Sequence, residues 1–345
     1  MDKRVVLAVA GAGKTQHIID KLDINSRALI VTYTVNNTTN LKKRILNKFG
    51  VIPKGIRVYT YFSFLMSFCV RPIIGNDIKI KGISYSDPPK FAKRNTHAHY
   101  ISQGDRLYHN RISKMMMDCD GISDISKRIE KYFDFFCVDE VQDFAANDFN
   151  LLCQLSIMDV EILFVGDFFQ HTFDTSRDGN IQKNLHNNYE IYLTKLKDSG
   201  YTIDLDTLSH SYRCSPTVCR FVTEQIGITI SSHRQDEVSI ALIDDNEHIK
   251  RLFSDDSIVK LFFKESYKYL GRTDNWGNTK GLDDFADICI VLNPTTFTAY
   301  KKGRLATLAP STLNKLYVAC TRAKGNVYFV SQRLLDEYKC KPRIQ

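Results

Sequence analysis

The sequence predicts an α/β fold built on parallel sheets, and three observations carry that prediction. Short apolar runs recur along the chain without strict apolar–polar alternation, as expected of strands buried on both faces. The stretches between them are long enough for one or two helices, the alternation that lays crossover helices on a parallel sheet. Polar clusters close most of the runs, and in such sheets the ligand crevice lies beyond the carboxyl ends of the strands.

Taken in order, the strand-like runs are RVVLAVA (4–10), RALIVTYT (27–34), IRVYTY (56–61), FDFFCVD (133–139) and EILFVGD (161–167). VSIALID (238–244), ADICIVL (286–292) and NVYFVS (326–331) follow. Two segments break the rhythm. Residues 71–130 carry little strand signal and read as a small, mostly helical insertion. Within it, Lys79 to Lys114 holds eight Lys or Arg against Asp87 and Asp105, interleaved with Tyr85, Tyr100 and Tyr108. That pattern fits a nucleic-acid contact and a solvated helical face equally well. Residues 181–207 give a polar, helix-like stretch and then YTIDLDTL, a crossing into a second domain. The expected division is therefore 1–200 and 201–345.

The bulk numbers narrow the class. Of 345 residues, 43% are apolar and 25% charged, the balance of a globular rather than a disordered chain. The first apolar run stops at Gly11, too short for a signal-peptide core, and no later run approaches 18 apolar residues. No membrane association is expected, and a cytoplasmic location is. The net charge of +8 favours a polyanionic partner. Nine cysteines include no CxxC, the nearest pair being Cys214 and Cys219, so they read as free thiols in a reducing compartment. His97 and His99 lack further ligands at metal-like spacing, which argues against zinc.

AVAGAGKT, Ala8 to Thr15, follows a strand and opens a helix-like stretch. Lys14 and Thr15 stand at P-loop spacing, with alanine in place of the first glycine. Gly11 and Gly13 let backbone N–H groups close around phosphate oxygens, Lys14 supplies a point charge, and the Thr15 hydroxyl can hold Mg²⁺. The expected nucleotide-binding set is Ala10, Gly11, Ala12, Gly13, Lys14, Thr15 and Gln16. In P-loop NTPases a carboxylate closing a second strand holds the same Mg²⁺. In FDFFCVDEVQDF, Asp139 has that place, and Glu140 is the candidate to orient and activate the attacking water. Burying such acids beside an apolar run is otherwise costly.

These motifs resemble the UvrD/Rep-like superfamily 1 DNA helicases, in order and over nearly the whole chain. AVAGAGKT resembles the first motif, VTYTVNNTTNLKKRI (31–45) the second, and VYTYFSFL (58–65) the Thr-Phe-His-Ser segment. VDEVQD (138–143) is similar to Asp-Glu-x-Gln-Asp, and VGDFFQHTF (165–173) to Gly-Asp-x-x-Gln. LSHSYRCS (208–215) resembles Asn-Tyr-Arg-Ser, and NTKGLDDFADICIVL (278–292) resembles Ser-Lys-Gly-Leu-Glu. KLYVACTRAK (315–324) is similar to Leu-Tyr-Val-Ala-x-Thr-Arg-Ala-Lys.

The resemblance implies two RecA-like P-loop NTPase domains, ATP and Mg²⁺ in the cleft between them, and single-stranded DNA across their tops. It makes Asp139 the metal carboxylate, Glu140 the catalytic base and Gln170 the γ-phosphate sensor. Arg213 and Arg322 would reach the γ-phosphate, a task suited to a planar, always-charged fork. Tyr212 would stack on adenine, Asp283 would approach the ribose, and Gly281 would belong to the same nucleotide-binding set. Gln142 would couple nucleotide to DNA, while Asp143 fits either that role or a helix cap. On the DNA face, Tyr33 and Phe173 would stack on bases, and Thr32, Thr60 and Ser63 would hydrogen-bond phosphates.

Departures from the family pattern set the alternatives. Only seven residues precede Ala8, so the upstream adenine-reading glutamine is expected to be absent, and Gln16 stands where many relatives carry arginine. The third motif reads Gly-Asp-Phe-Phe-Gln, and the spacing from Arg213 to Lys280 leaves little room for the second-domain insertion. The leading expectation is an ATP-dependent, 3′-to-5′ single-strand translocase or helicase acting on single-stranded or tailed duplex DNA. The alternative is an ATP-dependent nucleic-acid-sensing subunit that controls a partner nuclease or effector. An RNA-directed motor is a third reading.

Overall fold

The computed structural model describes residues 1–75, 77–173, 176–282 and 285–340. It forms two compact units: residues 1–7, 14–166 and 174–205 make the first, and residues 8–13, 167–173 and 206–345 the second.

The first unit is built on a parallel sheet of β1 (Lys3–Leu7), β2 (Ala28–Thr32), β3 (Ile56–Thr60), β4 (Phe135–Asp139), β5 (Glu161–Gly166) and β6 (Thr202–Asp204). Its spatial order is β3-β2-β4-β5-β1-β6. β2 and β4 are buried at every position, as their unalternating apolar sequences require. β6 is the strand inside YTIDLDTL. It pairs with β1 at the sheet edge, and the chain passes into the second unit after Leu205, within the same stretch. One register row runs through Thr60, Thr32, Asp139, Val165, Val6 and Asp204, and it gathers polar side chains at the carboxyl ends of four strands.

Crossover helices follow the strands. Val35–Phe49 starts at Thr34, whose side chain accepts from the Asn37 N–H, and stops at Gly50 in the left-handed region. The insertion is mainly helical, with Ile112–Asp118 and Gly121–Tyr132 as its longest helices. It also holds a short parallel pair, Gly82–Ser84 with Arg106–Tyr108.

The second unit holds a parallel sheet of β7 (Ile240–Ile243), β8 (Val259–Phe262), β9 (Thr273–Asn275), β10 (Ile288–Leu292) and β11 (Val327–Ser331), ordered β7-β11-β10-β8-β9. β8 is fully buried although Lys260 stands in its middle. Val259 and Leu261 face a core with Trp276, Leu316 and Phe329. Phe262 faces the opposite core with Ile249, Phe253 and Tyr269. The Lys260 ammonium donates to the Asp255 carbonyl at 2.6 Å and lies 5.7 Å from the Phe253 ring centre, which lets the charge sit inside. Among the described residues no helix is long and apolar enough to cross a membrane.

Candidate functional site

The glycine-rich loop leaves β1 after Leu7 and enters the helix Lys14–Asp20. Gly11 and Gly13 hold φ of 74° and 83°, the left-handed region that glycine enters without strain. A Cβ on Gly11 would lie 2.7 Å from both the Arg213 Cβ and the Ser211 Oγ, so only glycine allows that approach. Ala10 and Ala12 are buried beneath the loop. Gln16 is exposed. Its amide donates to Asp20 at 2.7 Å and its carbonyl oxygen accepts from Arg44 at 3.3 Å. A guanidinium thus reaches the position beside the loop from the following helix, a contribution that the sequence does not announce.

β4 delivers the acids. Asp139 is buried at the strand end and accepts from the Glu140 N–H at 3.0 Å. Glu140 adopts φ 57° and ψ 50°, a left-handed backbone that costs a non-glycine residue about 1–3 kcal/mol. Its carboxylate lies 3.8 Å from the Lys14 ammonium and accepts from the Gln142 amide at 2.5 Å. Gln142 is fully buried against Gly166 of β5, where a Cβ would come within 2.4 Å of its Oε1. The sheet order sets β5 between β1 and β4, so the strands that lead to the glycine-rich loop and to the acids are not adjacent.

The donor set fits a magnesium nucleotide. Thr15 and Asp139 offer hard oxygen ligands, and the Thr32 Oγ1, in the same row as Asp139, is buried without a partner. Among the described residues no group of three His, Cys, Asp or Glu could hold a metal by itself. Mg²⁺ suits such a place because it takes few protein ligands and keeps water and phosphate oxygens.

In the second unit, Asp167 organises the loop that follows β5. Its carboxylate accepts from the Gln170 amide at 2.8 Å, the Phe169 N–H at 3.1 Å and the Tyr317 hydroxyl at 3.0 Å. The Tyr317 oxygen in turn accepts from the Ala10 N–H at 2.9 Å. Tyr317 is therefore a buried link from the glycine-rich loop to Asp167. Its place in KLYVACTRAK is the only sequence signal for it. Arg322 is buried, donating to the carbonyls of Val318, Thr279 and Leu282 and to Gln170 Oε1 at 3.4 Å. Arg213 is partly buried and donates to the Thr321 carbonyl at 3.1 Å.

Tyr212 is 65% exposed, and its N–H donates to the Gly11 carbonyl at 2.9 Å. One face of its ring stacks on His233 at 4.1 Å and 18°. Gly281 has φ 81° and open space around it. Asp283 lies outside the described residues. Gln170, Arg213, Arg322 and Tyr212 are thus gathered around the glycine-rich loop or Asp167, whereas Gly281 stands in open space.

The residues expected on the nucleic-acid face divide. Phe173 is 53% exposed, and Ser63 is exposed. Thr60 is half-buried, and its hydroxyl donates to Ser63 Oγ at 2.8 Å while capping the next helix. Tyr33 is half-buried in a ring cluster, 5.7 Å from Tyr61, 5.8 Å from Phe62 and 5.3 Å from Phe144. Its hydroxyl meets Asp148 at 3.3 Å and Ser176 at 2.7 Å. Thr32 is fully buried beside Asp139, at the end of a strand that is buried at every position.

No protein-family model matches the sequence, and no curated protein matches it. Among solved structures, the crystal structure of arterivirus nonstructural protein 10 (helicase) superposes with a TM-score of 0.51 at 14% identity, covering 98% of this chain and 62% of that one. The complex of that arterivirus helicase with DNA gives 0.51 at 14% identity, over 96% of this chain and 62% of the other. The chain spans 62% of the length of these helicases. At such identity the likeness is one of fold, an α/β chain built on two parallel sheets.

Proposed function

We propose that the chain is an ATP-driven motor on single-stranded nucleic acid, a superfamily 1 translocase or helicase of UvrD/Rep-like type that moves 3′ to 5′ on DNA. The observation that carries this reading is the meeting of Lys14 and Glu140 at 3.8 Å, with Asp139 beside them at the end of β4. A phosphate loop, a metal carboxylate and a base candidate converge there, the minimum set for phosphoryl transfer to water. The helicase fold of the neighbours supports the same reading, as does the DNA bound to one of them.

In this account the backbone from Ala10 to Gln16 and the Lys14 ammonium bind the phosphates, and Thr15 and Asp139 hold Mg²⁺. When bound, Mg²⁺ neutralises charge that builds on the phosphate oxygens. Glu140 orients the attacking water and takes its proton, and Gln142 fixes the Glu140 carboxylate while reporting its state into the sheet. Gln170, Arg213 and Arg322 answer the γ-phosphate charge. In other NTPases such arginines are worth roughly 10³–10⁵ in rate. Tyr212, backed by His233, offers its free face to the base. Tyr33, Thr60, Ser63 and Phe173 serve the strand.

The test is ATP hydrolysis with and without single-stranded DNA, followed by displacement of a strand from tailed duplexes of each polarity. Stimulated hydrolysis with unwinding from a 3′ tail is expected. Stimulation without unwinding would favour a nucleic-acid-sensing subunit, and absence of stimulation would reject the motor.

A further inference from the structure

We propose that Tyr85, braced by His109 and Phe62, is a base-stacking residue that carries the single-strand track of the first unit onto the basic insertion. The proposal rests on the motor reading above and adds a binding site to it.

Tyr85 is 68% exposed, yet its ring is held. It lies 5.4 Å from the His109 ring at 30° and meets Phe62 edge-on at 5.9 Å. The short parallel pair explains the placement. Ser84 is in register with Tyr108, so the next residues of the two strands, Tyr85 and His109, emerge side by side. Phe62 also meets Tyr33 at 5.8 Å and His109 at 6.3 Å. A chain of rings therefore runs from Tyr33 through Phe62 to Tyr85. An exposed ring already fixed by its neighbours loses little entropy when a planar group stacks on it.

Charge selects the occupant. Among the described residues, Lys81, Arg111 and Lys114 are paired, with Asp105, Asp178 and Asp118 at 2.9, 3.3 and 2.8 Å. Lys79, Lys90, Lys93, Arg94 and Arg106 are exposed and form no ion pair within that set. Phe91, between Lys90 and Lys93, is 98% exposed. Exposed cations on the same segment as braced aromatic faces match a chain of phosphates and unstacked bases, which is single-stranded nucleic acid. Duplex would meet the cations but would leave the rings without a base to stack.

The test uses the full chain and fluorescently labelled oligo-dT of increasing length, at one stated salt concentration, read by anisotropy. A parallel series uses abasic strands with the same phosphates. Tyr85→Ala is expected to weaken binding of long oligo-dT by roughly 5- to 100-fold. Tyr85→Phe should bind like the parent, and neither variant should change affinity for the abasic strand. Equal affinity of Tyr85→Ala and parent for oligo-dT overturns the proposal, as does an equal loss on abasic strands. If that happens while single-stranded DNA still stimulates ATP hydrolysis, the motor reading stands alone. A parent chain that binds no oligonucleotide overturns both.

Discussion

Glu140 is held in place from three sides: its backbone by a left-handed conformation, its carboxylate by Lys14 and by Gln142. Such restraint suits a group that must aim at one water, and Glu140→Gln keeps the shape while removing the basic oxygen. That variant is expected to bind ATP normally but hydrolyse it about 10²–10⁴-fold more slowly. Single-turnover hydrolysis beside nucleotide titration checks it, and unchanged turnover rejects the assignment. Tyr317→Phe removes the oxygen shared by Ala10 and Asp167, stranding a buried N–H. A loss of about 1–3 kcal/mol in chemical denaturation is expected, with weaker nucleotide binding. Asp148 gives a pH signature. Burial raises its carboxyl to about 6, while hydroxyls including those of Ser113 and Tyr33 pull the other way. A raised acid prefers its neutral form in the fold, so its contribution is best at low pH and declines as pH climbs from about 4 to about 6. The ionised form is then less favourable by on the order of 3 kcal/mol. Asp148→Asn should gain stability relative to the parent across that interval and hold a constant difference above it. Denaturation curves at several pH values test this, and a constant difference throughout would contradict it.

At the level of elements, the contact between β5 and the turn after β4 is the tightest constraint. A Cβ on Gly166 would fall 2.4 Å from Gln142 Oε1 and 2.7 Å from the Val141 Cγ1. Gly166→Ala is therefore expected to cost about 1–3 kcal/mol and to push Gln142 away from Glu140, lowering kcat more than nucleotide affinity. Stability and steady-state kinetics on the same preparation separate the two effects. The element scale is also where the sequence is most and least legible. Strands such as β2 and β4 show because both faces are apolar. β8 hides because Lys260 interrupts its pattern, and only the tertiary partners Asp255 and Phe253 make that charge tolerable. β6 and β9 are three residues each, too short for any period to register. The pair Gly82–Ser84 and Arg106–Tyr108 is invisible for the same reason, and with it the bracing of Tyr85.

For the whole molecule, two parallel sheets and a glycine-rich loop between strand and helix are readable from local pattern alone, since each depends on residues close in sequence. The links that complete the candidate site are not. Tyr317 reaches Ala10 across 307 positions, and Arg322 reaches Gln170 across 152. No local spacing encodes such contacts, though the order of motifs pointed to Arg322 and Gln170. Thr32 shows the converse, a hydroxyl in a recognisable motif that the strand β2 buries. The claim that joins these scales is that nucleic acid and ATP hydrolysis are coupled through this chain. The most direct measurement is the rate of ATP hydrolysis in Mg²⁺ with and without saturating single-stranded DNA, for the parent chain and for Lys14→Ala. Hydrolysis is expected to rise with DNA in the parent and to vanish in Lys14→Ala under both conditions. A parent rate indifferent to DNA, or a Lys14→Ala rate equal to the parent's, would contradict it.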